Sequence, residues 1–370
     1  MVAKYKPFIN IGPGFMIEEE LESRGWSKGD LATITGINSA QISQIIHDKR
    51  PITLDTAKLL GKAFGQSTQY WFNLYTNYIL RQEESTQAET EAEIKANILT
   101  HMPIADMVKK HWIPKWNGNV ARLVKAVKDF WGMEKLDFSF MDKQPDLAFR
   151  KSDAYEKYNL YYALTWYQMA KKCAAKYKMS HYDPKRLQVL AKSMVDFSCQ
   201  KSGVALFINE LNKVGVKFFI LPHLEKTYTD GASFWDGDNP VIVWTARYKR
   251  EDNFWFTVAH EIAHVLLHLK DKSSYIIDFE QMEQDKKENE ANDYAATTIK
   301  RNEILQYFAG MRKTGLTIQS CAKQLNISPA IIVGQLQYLN LIKPYQLRNL
   351  IDNDITGEIP KEYFGFTHVA

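Results

Sequence analysis

Cysteine is scarce in this chain, and the three present, Cys173, Cys199 and Cys321, stand far apart with no C-x-x-C pair among them. That argues against both a disulfide framework and a thiolate metal site, and leaves isolated reduced thiols. Long apolar runs are missing as well. Stretches such as VLLHL and FFIL fall far short of the roughly 20 residues that a membrane-spanning helix needs. The opening MVAKYKPFINIGPG lacks the apolar core of a secretory signal, so the expected location is the cytoplasm, with no membrane partner. Nor is there much charge of one sign. A formal net charge of +4 over 370 residues is too weak to announce nucleic-acid binding, so any such activity must come from a local site. What remains is the composition of a folded soluble protein, long enough for two or three units.

Against that background, FTVAHEIAHVLLH (residues 256–268) stands out. On an α-helix His260 and His264 lie one turn apart and point the same way, so both imidazoles reach one ion at about 2.0–2.1 Å. Glu261 sits beside them, placed to accept a proton from a water held there. Phe254, Phe256, Val258, Ile262, Val265, Leu266 and Leu267 cover more than one stripe of the helix, which places it inside a domain core. Two buried histidines need partners, and a metal serves better than chance packing. His268 has rotated by about 80° from His260 in an ideal helix, which makes it a rim residue rather than a ligand. The longer pattern H-E-x-x-H-x-x-G-x-x-H fails at Leu267 and Lys270, so the third ligand must come from elsewhere. Downstream, KKENEANDYAATTI (residues 286–299) is expected to be a helix with Ala291, Ala295 and Thr298 on a small-residue face. Glu288 and Glu290 both lie near that face, and spacing alone does not choose between them.

The other informative stretch is near the start: GWSKGDLATITGINSAQISQIIHDKRPITLDTAKLLGKAFG. Ser27 and Asp30 make a capping-box-like helix start, and Gly36 with Ile37 and Asn38 forms a tight turn. Ser39 is expected to cap a second helix, SAQISQIIHDK. This is the order of a helix-turn-helix, whose second helix enters the DNA major groove. Ile42, Ile45 and Ile46 would hold that helix to the core, with Ser39, Ala40, Gln41, Ser43, Gln44 and Asp48 facing out. Ser39, Gln41, Ser43 and Gln44 suit base edges, while Lys28, Lys49 and Arg50 suit phosphates. A third helix is expected from Thr53 to Gly65. A fourth follows from Ser67, with Trp71, Leu74, Tyr75 and Tyr78 closing the bundle. Over residues 12–80 the stretch resembles the lambda-repressor-like (XRE) family, more closely the HigA type of antitoxin and autoregulator, which shares the RPITLDTA and YWFNLY runs.

Between these regions, residues 83–98 are acidic, polar and helix-prone, and form a connector helix. From Pro103 to about Gln200 the pattern is helical. One segment there interleaves aromatics with Lys171, Lys172, Lys176 and Lys178; a solvated face on an aromatic-cored helix accounts for it better than a nucleic-acid surface. Two strands, VKFFIL and PVIVWT, are expected around the turn-rich GASFWDGDN. Near the end, IQSCAKQLNISPAIIVGQLQYLNLI again has helix-turn-helix order, but its exposed face is poor in basic groups, which favours a structural role.

Two strands, RYKREDNFWFTVAHEIAHVLLH, an acidic loop, ENEANDYAA and a helical tail together resemble the ImmA/IrrE family of metallopeptidase domains. The whole chain resembles members that carry a HigA-like helix-turn-helix ahead of that domain. The resemblance implies one Zn²⁺ per chain, held by His260, His264 and Glu290, the glutamate of the E-A-N run. It also implies a gluzincin-like peptidase with Glu261 as general base. Relatives often have Gly where Ala263 stands, and apolar residues with Pro where this chain reads TTIKRNE; the second departure touches the wall of the cleft.

The expected fold is mostly α and multidomain. It comprises a helix-turn-helix bundle (residues 1–82), a helical connector (83–200), an α+β zincin-like domain (201–302) and a helical C-terminal segment packed on it (303–370). The expected function is a DNA-binding regulator whose zinc peptidase cleaves a repressor, an antitoxin or itself. The alternative is a toxin-antitoxin autoregulator whose metal domain senses without proteolysis. Operator DNA, a protein substrate or toxin, and a second copy of the chain are the expected partners.

Overall fold

In a computed structural model of the protein, residues 10–83, 91–142, 159–270, 275–279 and 286–365 are described. The chain divides into two compact units, Met1–Ala92 and Glu93–Ala370, and its fold is mostly α with one small sheet.

The first unit is a bundle of α1 (Pro13–Arg24), α2 (Lys28–Thr35), α3 (Ser39–Ile46), α4 (Leu54–Phe64) and α5 (Thr68–Glu83). Ser27 and Asp30 close a reciprocal capping box on α2, and Thr53 caps α4. α3 starts differently from expectation. Asn38, not Ser39, is its cap: the Asn38 side-chain oxygen accepts from the Ala40 N–H at 2.8 Å, because Ser39 is already helical. Ile42, Ile45 and Ile46 are buried against Ile17, Leu31 and Leu60, with Trp71 of α5 fully inside. Leu74 and Tyr75 pack at the edge of this core as expected.

In the second unit a layer of helices covers each face of a four-stranded sheet. Toward one face lie α6 (Glu91–His101), α7 (Ile104–Lys109), α8 (Val120–Trp131), α9 (Ser139–Asp142) and α10 (Leu160–Ala174). The acidic connector from 84 to 90 and the start of the aromatic-lysine segment, up to 158, lie outside the described residues. α11 (Pro184–Lys192) and α12 (Gly203–Lys213) pack toward the other face.

The sheet order is β1-β3-β2-β4, with β1 (Lys217–Ile220) parallel to β3 (Asn239–Trp244), β2 (Thr229–Asp236) antiparallel to β3, and β4 (Tyr275–Phe279) antiparallel to β2. Two strands were expected here, separated by a turn. Most of GASFWDGDN is instead β2, and only the Gly237 corner is the turn. Alternation explains the strand: Ala232 and Phe234 join one core while Gly231 and Ser233 take the opposite face. β1 and β3 are buried on both faces, Phe218, Ile220, Ile242 and Trp244 on one side and Phe219, Val241 and Val243 on the other.

α13 (Glu251–Ala263) lies on the first of those faces, followed by α14 (Lys286–Thr298), α15 (Arg301–Tyr307), α16 (Gly315–Leu325) and α17 (Pro329–Tyr338). α17 packs along α13 with Ala330, Ile331, Ile332, Val333 and Leu336 all buried. No described helix is long and apolar enough to cross a membrane.

Candidate functional site

α13 is buried almost all round, from Phe254 through Ala263, which is why its two histidines meet no solvent. His260 Nε2 and His264 Nε2 lie 2.8 Å apart. A carboxylate from α14 closes the group: Glu288 Oε2 stands 3.2 Å from His260 Nε2, and Glu288 Oε1 stands 3.5 Å from His264 Nε2. Donors held tetrahedrally at about 2.1 Å from one ion are about 3.4 Å from one another, so the three side chains fit one divalent cation. Their protonation fits too. Burial pushes His264 down, toward the neutral imidazole. Burial raises Glu288, but hydrogen bonds and charge from His260 and His264 outweigh it and bring the carboxyl down to about 2. Both shifts favour the deprotonated donors that a metal requires.

The carboxylate that the structure brings to His260 and His264 is therefore that of Glu288 and not that of Glu290, and helix phase is the reason. Residues 288, 291, 292 and 295 recur at i, i+3, i+4 and i+7, so Glu288 shares the face on which Ala291 and Ala295 let α14 lie close to α13. Glu290 is turned by about 200° from Glu288. Its side chain is 45% exposed, against 6% for Glu288. On the same inner face Asn292 Oδ1 sits 3.1 Å from His260 Nδ1, which orients that ring and leaves Nε2 for the ion.

His268 is not among the three, as expected, but it lies closer than an α-helix would put it. Residues His264–His268 form a π-turn, which carries His268 Nδ1 to 2.9 Å from His264 Nδ1. Its other nitrogen meets Glu290 Oε2 at 3.0 Å. Glu290 thus reaches the group through His268 rather than directly.

Glu261 is fully buried on the side of α13 that faces β2. There the pairing of β2 with β4 slips by one residue between Thr229 and Ala232, a bulge that includes Gly231. A Cβ on Gly231 would lie 2.4 Å from Glu261 Oε1 and 2.9 Å from Thr257 Cγ2, so only glycine leaves room for the carboxylate. Gly231 was legible in the sequence only as part of a turn. On the other side an aromatic step leads outward: the Phe256 ring is 6.3 Å from His260 and 6.5 Å from Tyr338, which is 64% exposed. Arg301 stacks over Tyr338 at 5.2 Å and donates to Gln335 Oε1 at 2.7 Å. Arg301 belongs to the KRN stretch where the sequence departs from the expected apolar pattern.

In the first unit, α3 exposes Ser39 and Gln44, with Gln41 and Ser43 half-buried on its flank. Lys49 and Arg50 are exposed in the segment that follows. Lys28 is engaged with Glu18 at 3.6 Å.

Two family models match the chain: one described as helix-turn-helix over residues 17–71, and one described as IrrE N-terminal-like domain over residues 211–336. A curated relative, virulence-associated protein I of Dichelobacter nodosus, is 37% identical over 75 residues, which is 20% of this chain and 69% of that protein. Among solved structures, a hypothetical protein from E. coli is 29% identical, covering 25% of this chain and 99% of its own, with a TM-score of 0.20.

Proposed function

Because the chain belongs to the proteins that carry an XRE-type helix-turn-helix ahead of an ImmA/IrrE-type metallopeptidase domain, we propose that it is a DNA-binding regulator whose second unit hydrolyses a regulatory protein with one zinc ion per chain. The observation that carries this reading is the buried set of His260, His264 and Glu288, with Glu261 on the same helix and a glycine opposite it. A purely structural metal site has no need of a general base.

When bound, the divalent cation supplies Lewis acidity, polarising a carbonyl and acidifying water. The chain's own groups do the rest. His260, His264 and Glu288 hold the ion, and Asn292 keeps the His260 ring in place. Glu261 takes the proton of the attacking water and passes it to the leaving amine. Phe256 and Tyr338 make an aromatic surface beside His260, which suits an apolar or aromatic side chain of a peptide. In the first unit Ser39, Gln41, Ser43 and Gln44 read base edges while Lys28, Lys49 and Arg50 hold phosphates. Readers of palindromic operators act as dimers, which is the form we assign. We divide the labour among residues 1–82 for DNA, 83–200 as connector, 201–302 as peptidase and 303–370 as its support.

The test compares cells producing the wild-type chain with cells producing Glu261→Gln, by labelling protein N-termini. New N-termini are expected only with the wild type, while both purified proteins hold the same metal. Identical N-termini at equal metal content would remove proteolysis and leave a DNA-binding autoregulator that binds metal without turnover.

A further inference from the structure

The helical layer on the face of the sheet away from α13 carries a cavity of about 850 Å³, between α8, the segment before it and α10. It lies between the two family matches, in a part of the chain that the proposed function does not use. Its floor is apolar: Trp112, Phe130 and Met169 are buried beneath it. Its rim is basic. Lys115, Arg122, Lys125, Lys172 and Lys176 surround it, all exposed, with Asp129 as the one carboxylate among the lining residues. The excess of cations here is as large as the net +4 of the entire chain, so the charge is local and not a general property of the surface.

Two of the rim cations have partners within the rim. Lys172 Nζ donates to the Asp129 main-chain oxygen at 3.2 Å and lies 5.6 Å from the Phe130 ring centre, and Lys125 pairs with Asp129 at 2.8 Å. A merely solvated lysine face has no need of a concave apolar floor. A site for small molecules has both: a volume of about 300–1,000 Å³, mostly apolar walls and a few convergent polar groups.

We propose that this cavity binds a nucleoside polyphosphate, with the base against the apolar floor and the phosphates among Arg122 and the lysines. Several cations spread round one rim match several negative charges better than a single carboxylate, and Arg122 offers the planar fork that suits phosphate oxygens. α10 continues from the cavity to the sheet, where Tyr167 meets Phe234 at 5.1 Å. The helix that lines the cavity thus packs on the same sheet whose opposite face supports α13.

The experiment is calorimetric titration of the full chain with ATP, adenosine, inorganic triphosphate and a single-stranded oligothymidine, at about 150 mM salt. It is repeated on Arg122→Glu/Lys176→Glu, both exposed positions. ATP is expected to bind about tenfold or more tighter than adenosine or triphosphate alone, and about tenfold weaker to the variant, whose melting temperature is unchanged. Four results would overturn the proposal: no ATP binding up to about 1 mM, equal affinity for triphosphate and ATP, unchanged binding to the variant, or displacement of ATP by the oligothymidine.

Discussion

Two stretches of this chain share one local grammar and meet opposite fates. LATITGINSAQISQII and CAKQLNISPAIIVGQLQ both run helix, left-handed residue, isoleucine, polar cap, helix. Gly36 and Asn326 take the left-handed turn at φ 72° and 51°, and Ile37 and Ile327 follow. Asn38 and Ser328 then cap the second helix through the N–H of Ala40 and of Ala330, at 2.8 and 3.2 Å. Yet α3 buries one stripe of isoleucines and shows its polar flank, whereas α17 is buried from Ala330 through Leu336, including Gln335. Capping and turn chemistry therefore build the motif in both places. The apolar content of the second helix decides whether it keeps an exposed polar flank or serves as a wall behind α13.

The comparison can be broken at the core first. Ile332→Ala should cost the second unit about 2–5 kcal/mol and leave the melting of the first unit unchanged, as read by denaturant unfolding with separate probes for each. A shift in both units would mean that they do not fold independently. Next come the polar positions of the two helices. Gln335→Ala should cost about 1–3 kcal/mol of stability, because it strips a buried partner from Arg301. Gln44→Ala should change stability by less than about 0.5 kcal/mol but weaken specific operator binding by about 1–3 kcal/mol, with non-specific binding unaffected. Equal loss on any DNA would remove Gln44 as a base reader. The smallest effect belongs to the turn. Asn326→Gly, which makes the second motif's turn like the first, should shift stability by no more than about 1 kcal/mol; a larger change would show that the Asn326 side chain matters beyond its backbone.

Within the candidate metal site a similar contrast separates what was legible from what was not. His260, Glu261 and His264 were plain because all three belong to one helix, where spacing alone sets direction. Glu288 was not, because the choice required the phase of a second helix against the first. The signal existed: Ala291 and Ala295 mark the face that approaches α13, and Glu288 lies on it at i−3 and i−7, whereas Glu290 does not. Resemblance to an E-A-N run pointed instead to Glu290, two residues further on. β2 was hidden because Gly231, Asp236 and Gly237 look like turn residues, although Gly231 is there to make room for Glu261. β4 was hidden in a segment whose composition reads as an acidic loop, and nothing in HVLLH announces a π-turn. Local chemistry was thus readable wherever one element carried it, and unreadable wherever two elements had to be placed together.

Gly231→Ala tests that last point from the strand side: it should leave metal content intact and lower any cleavage about tenfold or more, by displacing Glu261. The most direct test of the account is zinc content, measured by elemental analysis on purified Glu288→Ala and Glu290→Ala beside the wild type. About one zinc per chain in the wild type and in Glu290→Ala, with none in Glu288→Ala, is the expected result. Zinc retained in Glu288→Ala and lost in Glu290→Ala would contradict it.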